Sequence, residues 1–375
     1  MSVWVTPTKT TNPGPANEPV ITWFTVTLAS IARCTIARIV QACHDRPVSS
    51  ESGPSSNPHL RNSAVPLAAY SRNGHTEGVF YGHAVVLDPD GSVVRSWGST
   101  TQEFYPRSSS KIGQASAMAQ AGLSLPQRLQ ALTGASHSGE QFHIDGVREI
   151  LASVNLTPAS LQTPPDFPLD PVERDACIVR GEDRSPILMN CSGKHAAMLA
   201  TCVINGWDAE TYLAPDHPLQ RAITSKLAEM TGGPIAFQGV DGCGAPVHAL
   251  TLPALARLSQ TAVLGAAGSP ERIVADAMRA HPEYVGGTRR DVTHFMASVP
   301  GLLAKDGAFG VYTAAFDDGR ALALKIESGA EPGRNAAMAG LLMYMGVAES
   351  VVDIYSSQPV LGGGKLVGST YPTLT

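Results

Sequence analysis

A chain of 375 residues with 43% apolar and 16% charged content is long enough to bury a sizeable core, and one large α/β unit accommodates it. A net charge of −5 without any dense Lys/Arg run speaks against nucleic acid or an anionic membrane as a main partner. Six cysteines, Cys34, Cys43, Cys177, Cys191, Cys202 and Cys243, are too sparse for a disulfide framework, so reduced thiols and a cytoplasmic setting are expected.

Residues 1–66 differ in composition from the rest. Thr11-Asn12-Pro13-Gly14-Pro15 and the Ser/Gly/Pro-rich stretch 49–58 are turn and linker sequences. The apolar stretch Val20 to Val40 is interrupted by Arg33 and Arg38, which argues against a spanning helix. Only Lys9 precedes it as a positive charge, too little for a secretory signal. A poorly ordered extension over 1–66 is therefore expected, followed by a catalytic domain over 67–375.

The folded part is expected to begin near Val79. Phe80 to Val86, a turn at Leu87-Asp88-Pro89-Asp90-Gly91, and Ser92 to Trp97 read as a hairpin, because Asp-Gly separates two β-branched runs. A second hairpin pattern lies far downstream, Gly310 to Phe316, Asp317-Asp318-Gly319 and Ala321 to Ile326. Between them, Ser108–Gly122, Gly139–Val154, Lys194–Gly206, Pro218–Met230, Leu252–Ala266 and Pro270–His281 carry helix-period apolar residues, and Arg334–Met345 adds a late helix. Pro164-Pro165-Asp166-Phe167-Pro168 is the clearest loop. The order hairpin, helices, hairpin, helix predicts an α/β fold, with an antiparallel sheet built from both chain ends and a helical middle region covering it.

Several segments carry residues suited to chemistry. Ser108 precedes Lys111 by three positions at a helix start, which sets hydroxyl and amine on one face. The ordinary meaning of that spacing is a capping serine and a solvated lysine; catalysis demands an environment that lowers the amine pKa by roughly three units. Ala135-Ser136-His137-Ser138-Gly139-Glu140 reads on its own as a capping segment, with Ser138 as N-cap. Asn190-Cys191-Ser192-Gly193-Lys194-His195 opens an apolar helix that Ser192 or Gly193 could cap. Cys243 sits in the loop Asp241-Gly242-Cys243-Gly244-Ala245-Pro246, and by spacing alone Cys191 and Cys243 read as two buried free thiols. Lys305 stands in an apolar stretch at a strand end, a setting that depresses a lysine pKa if it is buried. Gly362-Gly363-Gly364-Lys365 lacks the spacing of a phosphate loop.

Taken together and in order, Pro106-Arg107-Ser108-Ser109-Ser110-Lys111, Ala135 to Glu140, Asn190 to Met198 and Asp241 to Pro246 resemble the rhizobial-type, or class 3, L-asparaginases, from about Gly78 onward. The resemblance implies hydrolysis of L-asparagine to L-aspartate and ammonia, on a fold similar to serine β-lactamases and penicillin-binding proteins. It implies two Ser–Lys pairs: Ser108 with Lys111, and Ser136 with a lysine that falls on Lys305. It also implies a zinc site at Cys191, Lys194 and Cys243, displacing the free-thiol reading, with zinc ordering the pocket rather than supplying the nucleophile. Arg107, His137, His195 and Asp241, beside these groups in sequence, are the candidates to bind substrate. Ile112, where relatives often carry proline, and Gly134, where they often carry cysteine, depart from the pattern. A Ser-x-x-Lys acyltransferase or β-lactam-reactive enzyme, and a non-catalytic zinc-dependent binding protein, are the competing readings. The expected partner is a small molecule, with room for a homodimer.

Overall fold

The Asp-Gly turns organise the sheet. In this computed structural model, which describes residues 63–374, the Gly91 amide closes on the Asp88 carbonyl at 2.9 Å and Gly91 takes φ +83°. The flanking strands β2 (His75–Leu87) and β3 (Val93–Trp97) therefore pair antiparallel. The downstream hairpin forms likewise from β7 (Val311–Ala315) and β8 (Ala321–Ile326), with Gly319 at φ +93°.

Four further strands flank these hairpins. β1 (Val65–Arg72) precedes β2 and pairs with it, so the folded part starts ahead of Val79. Of the extension expected over 1–66, all but the last four residues lies outside the described residues, and Val65 and Pro66 belong to β1. At the other end β9 (Gln358–Gly362) and β10 (Lys365–Pro372) form a hairpin around Gly363 and Gly364, at φ +57° and +77°. Two positive-φ residues are what the tightest hairpin turn requires, so the glycine run is a turn. β6 (Leu303–Gly307) joins β7, and the sheet order is β6-β7-β8-β2-β1-β10-β9, with β3 alongside the second half of β2. A small separate pair, β4 (Gln238–Val240) with β5 (Pro246–His248), lies in the middle region where no hairpin was expected.

The helices are α1 (Lys111–Gln120), α2 (Gln127–Thr133), α3 (Gln141–Ala152), α4 (Pro171–Val179), α5 (Ser192–Asn205), α6 (Pro218–Thr231), α7 (Leu252–Leu264), α8 (Pro270–Ala280), α9 (Pro282–Val285), α10 (Asp291–Ser298), α11 (Glu331–Tyr344) and α12 (Glu349–Ser356). Proline opens several at the first turn, where its missing N–H costs nothing. Left-handed Gly206 and Gly232 close α5 and α6. β6, β7 and most of β8 are buried throughout, because α7 packs against β2, β7 and β8 while α11 packs against β1, β8 and β10. The expected fold class holds: an α/β arrangement with an antiparallel sheet drawn from both ends of the chain and helices from its middle.

Two expected caps are not made. Ser138 Oγ donates to the Gly286 carbonyl at 2.7 Å instead of capping α3, which Glu140 precedes. Ser192 Oγ bonds the Ile187 carbonyl at 2.8 Å, and Cys191 stands at the α5 N-cap without a side-chain cap bond. Both hydroxyls are fully buried, and tertiary acceptors outcompete the local amides. In the packed middle, a Cβ at Gly146 would meet Leu132 at 2.9 Å and one at Gly193 would meet it at 2.7 Å. The two glycines thus let α3 and α5 close on α2. Among the described residues no helix is long and apolar enough to cross a membrane.

Candidate active site

One 3-10 turn, Arg107–Ser110, carries the chain into α1 and sets up the first serine and lysine. In such a turn residues i and i+3 eclipse, so Ser108 and Lys111 project the same way. The lysine is 1% exposed, so its stem reaches into the core rather than into solvent. Its amine donates to the Ala135 carbonyl, to Ser136 Oγ at 3.2 Å and to Cys191 Sγ at 3.1 Å. Lys111 therefore holds the second serine. Among the described residues no hydrogen bond joins it to Ser108; its three donors go to Ala135, Ser136 and Cys191.

Both serines line one cavity of about 230 Å³, with Asn190, Arg290, Asp306 and Arg334 among the walls. A larger cavity of about 510 Å³, walled by Arg148, Cys177, Arg180 and Glu182, contains none of the expected catalytic groups. Lys305 lies in mid-strand on β6, not at a strand end, and is fully buried. Its amine bonds the Asp306 carbonyl at 2.9 Å and the Asp306 carboxylate. Burial pushes the amine down to about 8; the Asp306 charge opposes that and the Lys111 charge adds to it. The carbonyl of Lys305 accepts from Ser109 Oγ at 3.2 Å, which ties β6 to the serine-bearing turn.

Arg107 and Asp241 are brought to each other, Nε to Oδ1 at 2.6 Å, and the guanidinium lies over the Phe309 ring at 5.0 Å. Arg107 is one of few non-glycine residues at positive φ (+54°), a strained conformation that these two contacts hold at the entrance to the turn. His137 is fully buried, with Nε2 at 2.8 Å from Ser192 Oγ, and burial holds it well below the ordinary histidine value. It lies behind Ser136 rather than on the cavity wall. His195 is also fully buried, with Nδ1 at 2.7 Å from the Tyr212 hydroxyl.

Cys191, Lys194 and Cys243 converge. Lys194 Nζ lies 3.3 Å from Cys243 Sγ, and the two thiols share a hydrogen bond that raises Cys191 and lowers Cys243, favouring thiolate at Cys243. Burial works against the charge of Lys194, yet Cys243, Cys191 and Asp241 hold it above the ordinary lysine value. Among the described residues no group of three or more His, Cys, Asp or Glu side chains is set to hold a metal ion; this cluster reaches three donors only by counting the lysine amine. His195 Nε2 faces the Cys243 sulfur and is buried without a hydrogen bond of proper geometry. Two sulfurs and an amine are donors that could hold a metal such as zinc, without a third His, Cys, Asp or Glu ligand set to join them among the described residues.

The motif reading missed Arg290, Asp306 and Arg334, although all three wall the cavity. The available signal was the direct adjacency of opposite charges in an apolar stretch, Lys305 with Asp306; Arg290 and Arg334 carried no such signal.

In sequence, no curated protein matches the chain. Solved structures give distant likenesses. Mglu is 13% identical over 70% of this chain, with a TM-score of 0.38. A Bacillus glutaminase is 13% identical over 67% of this chain and 85% of its own length, with a TM-score of 0.37. A putative β-lactamase from Bacteroides dorei is 15% identical over 70% of this chain and 93% of its own length, with a TM-score of 0.37. The chain spans 64% of the length of Mglu. At such distance these structures carry no argument about the reaction. The family described as L-asparaginase II, in contrast, matches residues 68–372, a span that runs from β1 to β10 and takes in both serines, both lysines and the thiol cluster. The chain belongs to that L-asparaginase II family.

Proposed function

We propose that the protein hydrolyses L-asparagine to L-aspartate and ammonia through a serine ester. Ser108 Oγ forms a bond to the side-chain amide carbon; the C–N bond breaks as the nitrogen takes a proton and leaves as ammonia. Water then attacks the ester carbon, yields a proton, and restores the Ser108 hydroxyl as L-aspartate leaves. One observation carries this reading: two serine side chains line a single cavity and two buried lysine amines stand behind them. Lys111, bonded to Ser136 and not to Ser108, takes the Ser108 proton by way of the Ser136 hydroxyl. Lys305, held near 8 by burial, shuttles protons to the departing ammonia and from the attacking water. Cys191, Lys194 and Cys243 would hold zinc, with His195 beside them. When bound there, zinc would supply a fixed positive charge that orders the substrate pocket. Arg107 and Asp241 keep the turn that carries Ser108 in place.

The test is ammonia release from L-asparagine, with L-glutamine assayed alongside. Ser108→Ala should lower turnover by about a thousandfold or more, with the folded protein retained. Substantial turnover in Ser108→Ala, lost instead in Ser136→Ala, would transfer the nucleophile to Ser136.

A further inference from the structure

Behind Lys305 lies a ring of charges that the reaction as written leaves unused. One oxygen of Asp306 bonds the lysine amine. The other, Oδ2, accepts from Arg290 Nη2 at 2.6 Å and lies 3.8 Å from Arg334 Nη1. Asp291 completes the ring: Oδ2 accepts from Arg334 Nη2 at 2.9 Å, and Oδ1 lies 3.7 Å from Arg290 Nε. Both aspartates and Arg334 are buried, and the Arg290 side chain is 15% exposed, on the cavity wall. The groups facing the amine are Asp306 on β6, Lys111 on α1 and Arg290 ahead of α10; Asp291 on α10 and Arg334 on α11 stand one step behind.

Among the buried members two arginines already balance two aspartates without the lysine; Glu331, 3.5 Å from Arg334, is largely exposed and screened by solvent. A charged Lys305 is the excess, and Lys111 nearby adds to it. Arginine keeps its proton throughout the accessible range, so the lysine is the member that gives one up. Asp306 would favour a charged amine if its whole carboxylate were available, but Arg290 occupies its other oxygen.

We propose that Asp306 and Arg290 are a pair of positioning residues for Lys305: Asp306 aims and holds the amine, and Arg290, by claiming the second carboxylate oxygen, leaves that amine free to release its proton to the reaction. The inference rests on the reading of Lys305 as a proton shuttle. It predicts that the two residues act in opposite directions, which a merely structural role for both would not produce.

The experiment is the pH dependence of kcat/KM for L-asparagine in the wild type, Arg290→Gln and Asp306→Asn, with Arg290→Lys and Asp306→Glu as conservative partners. The limb that Lys305 governs should lie near pH 8 in the wild type. It should move up by about one pH unit in Arg290→Gln, where Asp306 is released to the lysine, and down by about one in Asp306→Asn. The conservative variants should return it towards the wild-type position, with kcat affected more than KM. Unmoved limbs, or both moving the same way, would overturn the proposal. The Lys305 amine can also be titrated directly in ¹³Cε-lysine-labelled full-length protein, its signal assigned with Lys305→Arg. Titration near pH 8 in the wild type supports the pair even if asparagine turnover is absent, in which case it is the hydrolase reading that fails. Titration at the ordinary lysine position, near ~10.4, overturns the proposal whether or not the variants fold.

Discussion

Lys111 and Lys305 are chemically the same side chain, both almost wholly buried, and their neighbours give them different work. Lys111 is ringed by a carbonyl, a hydroxyl and a thiol, and its amine is committed to holding Ser136 beside Cys191. Lys305 faces a carboxylate that an arginine has already engaged. A buried amine with a shared counter-charge is the better proton carrier, since desolvation and charge balance both favour its neutral form. At the same scale, Cys243 joins the thiol cluster to Asp241 and through it to Arg107, which precedes Ser108. Cys243→Ala should lower bound zinc, measured by metal analysis of the purified protein, to less than about a tenth of an equivalent. The apparent KM for L-asparagine should rise while ammonia release persists. Unchanged zinc content would return Cys191 and Cys243 to the status of two free thiols.

The element that matters most is the 3-10 turn between Pro106 and α1. It leans on β6 so closely that a Cβ at Gly307 would stand 2.5 Å from the Pro106 carbonyl oxygen and 2.7 Å from Ser109 Oγ. Glycine at 307 is thus a condition for Ser108 and Lys305 to belong to one site. Gly307→Ala should push the turn off the strand and lower kcat by about tenfold or more, because displacements of about 1 Å already misalign reacting groups. Gly233→Ala is the control: its Cβ would meet nothing within 4 Å, and turnover should stay at the wild-type level. Equal kinetics for the two variants would show that the turn tolerates the shift. Both variants are read by steady-state ammonia assays alongside thermal unfolding.

For the whole molecule, the sheet is closed by pairing across the length of the chain. β1 pairs with β10, Ala68 facing Pro372, and β2 pairs with β8, Gly82 facing Ile326. Those pairings make the N-terminal boundary of the domain a structural matter, because β1 begins at Val65. Removing residues 1–62 should leave ammonia release within about twofold of the full chain, since it spares every strand of the described residues. Removing residues 1–72 should abolish folding, because β2 and β10 would both lose their shared neighbour. Loss of activity in the shorter deletion, followed by the same assay, would give the first 62 residues a working role.

Much of this architecture is local and therefore legible. Asp90-Gly91 and Asp318-Gly319 announce their hairpins because the turn and the alternation lie within a dozen residues of each other. β1, β9 and β10 are harder, since β9 and β10 are half-buried or exposed almost throughout and short in apolar content, and the β1–β10 pairing joins residues hundreds of positions apart. The Ser108–Lys111 spacing, the Ala135–Ser136–His137 segment and the two cysteines are equally plain, and by order and composition they determine the family and the candidate reactive groups. What only the tertiary structure decided is which groups meet. It pairs Lys111 with Ser136, places Lys305 in mid-strand, and surrounds that amine with Asp306, Arg290, Asp291 and Arg334. The reason is physical: spacing along the chain sets the direction of a side chain, whereas proton affinity and partnership depend on desolvation and on charges contributed by distant elements.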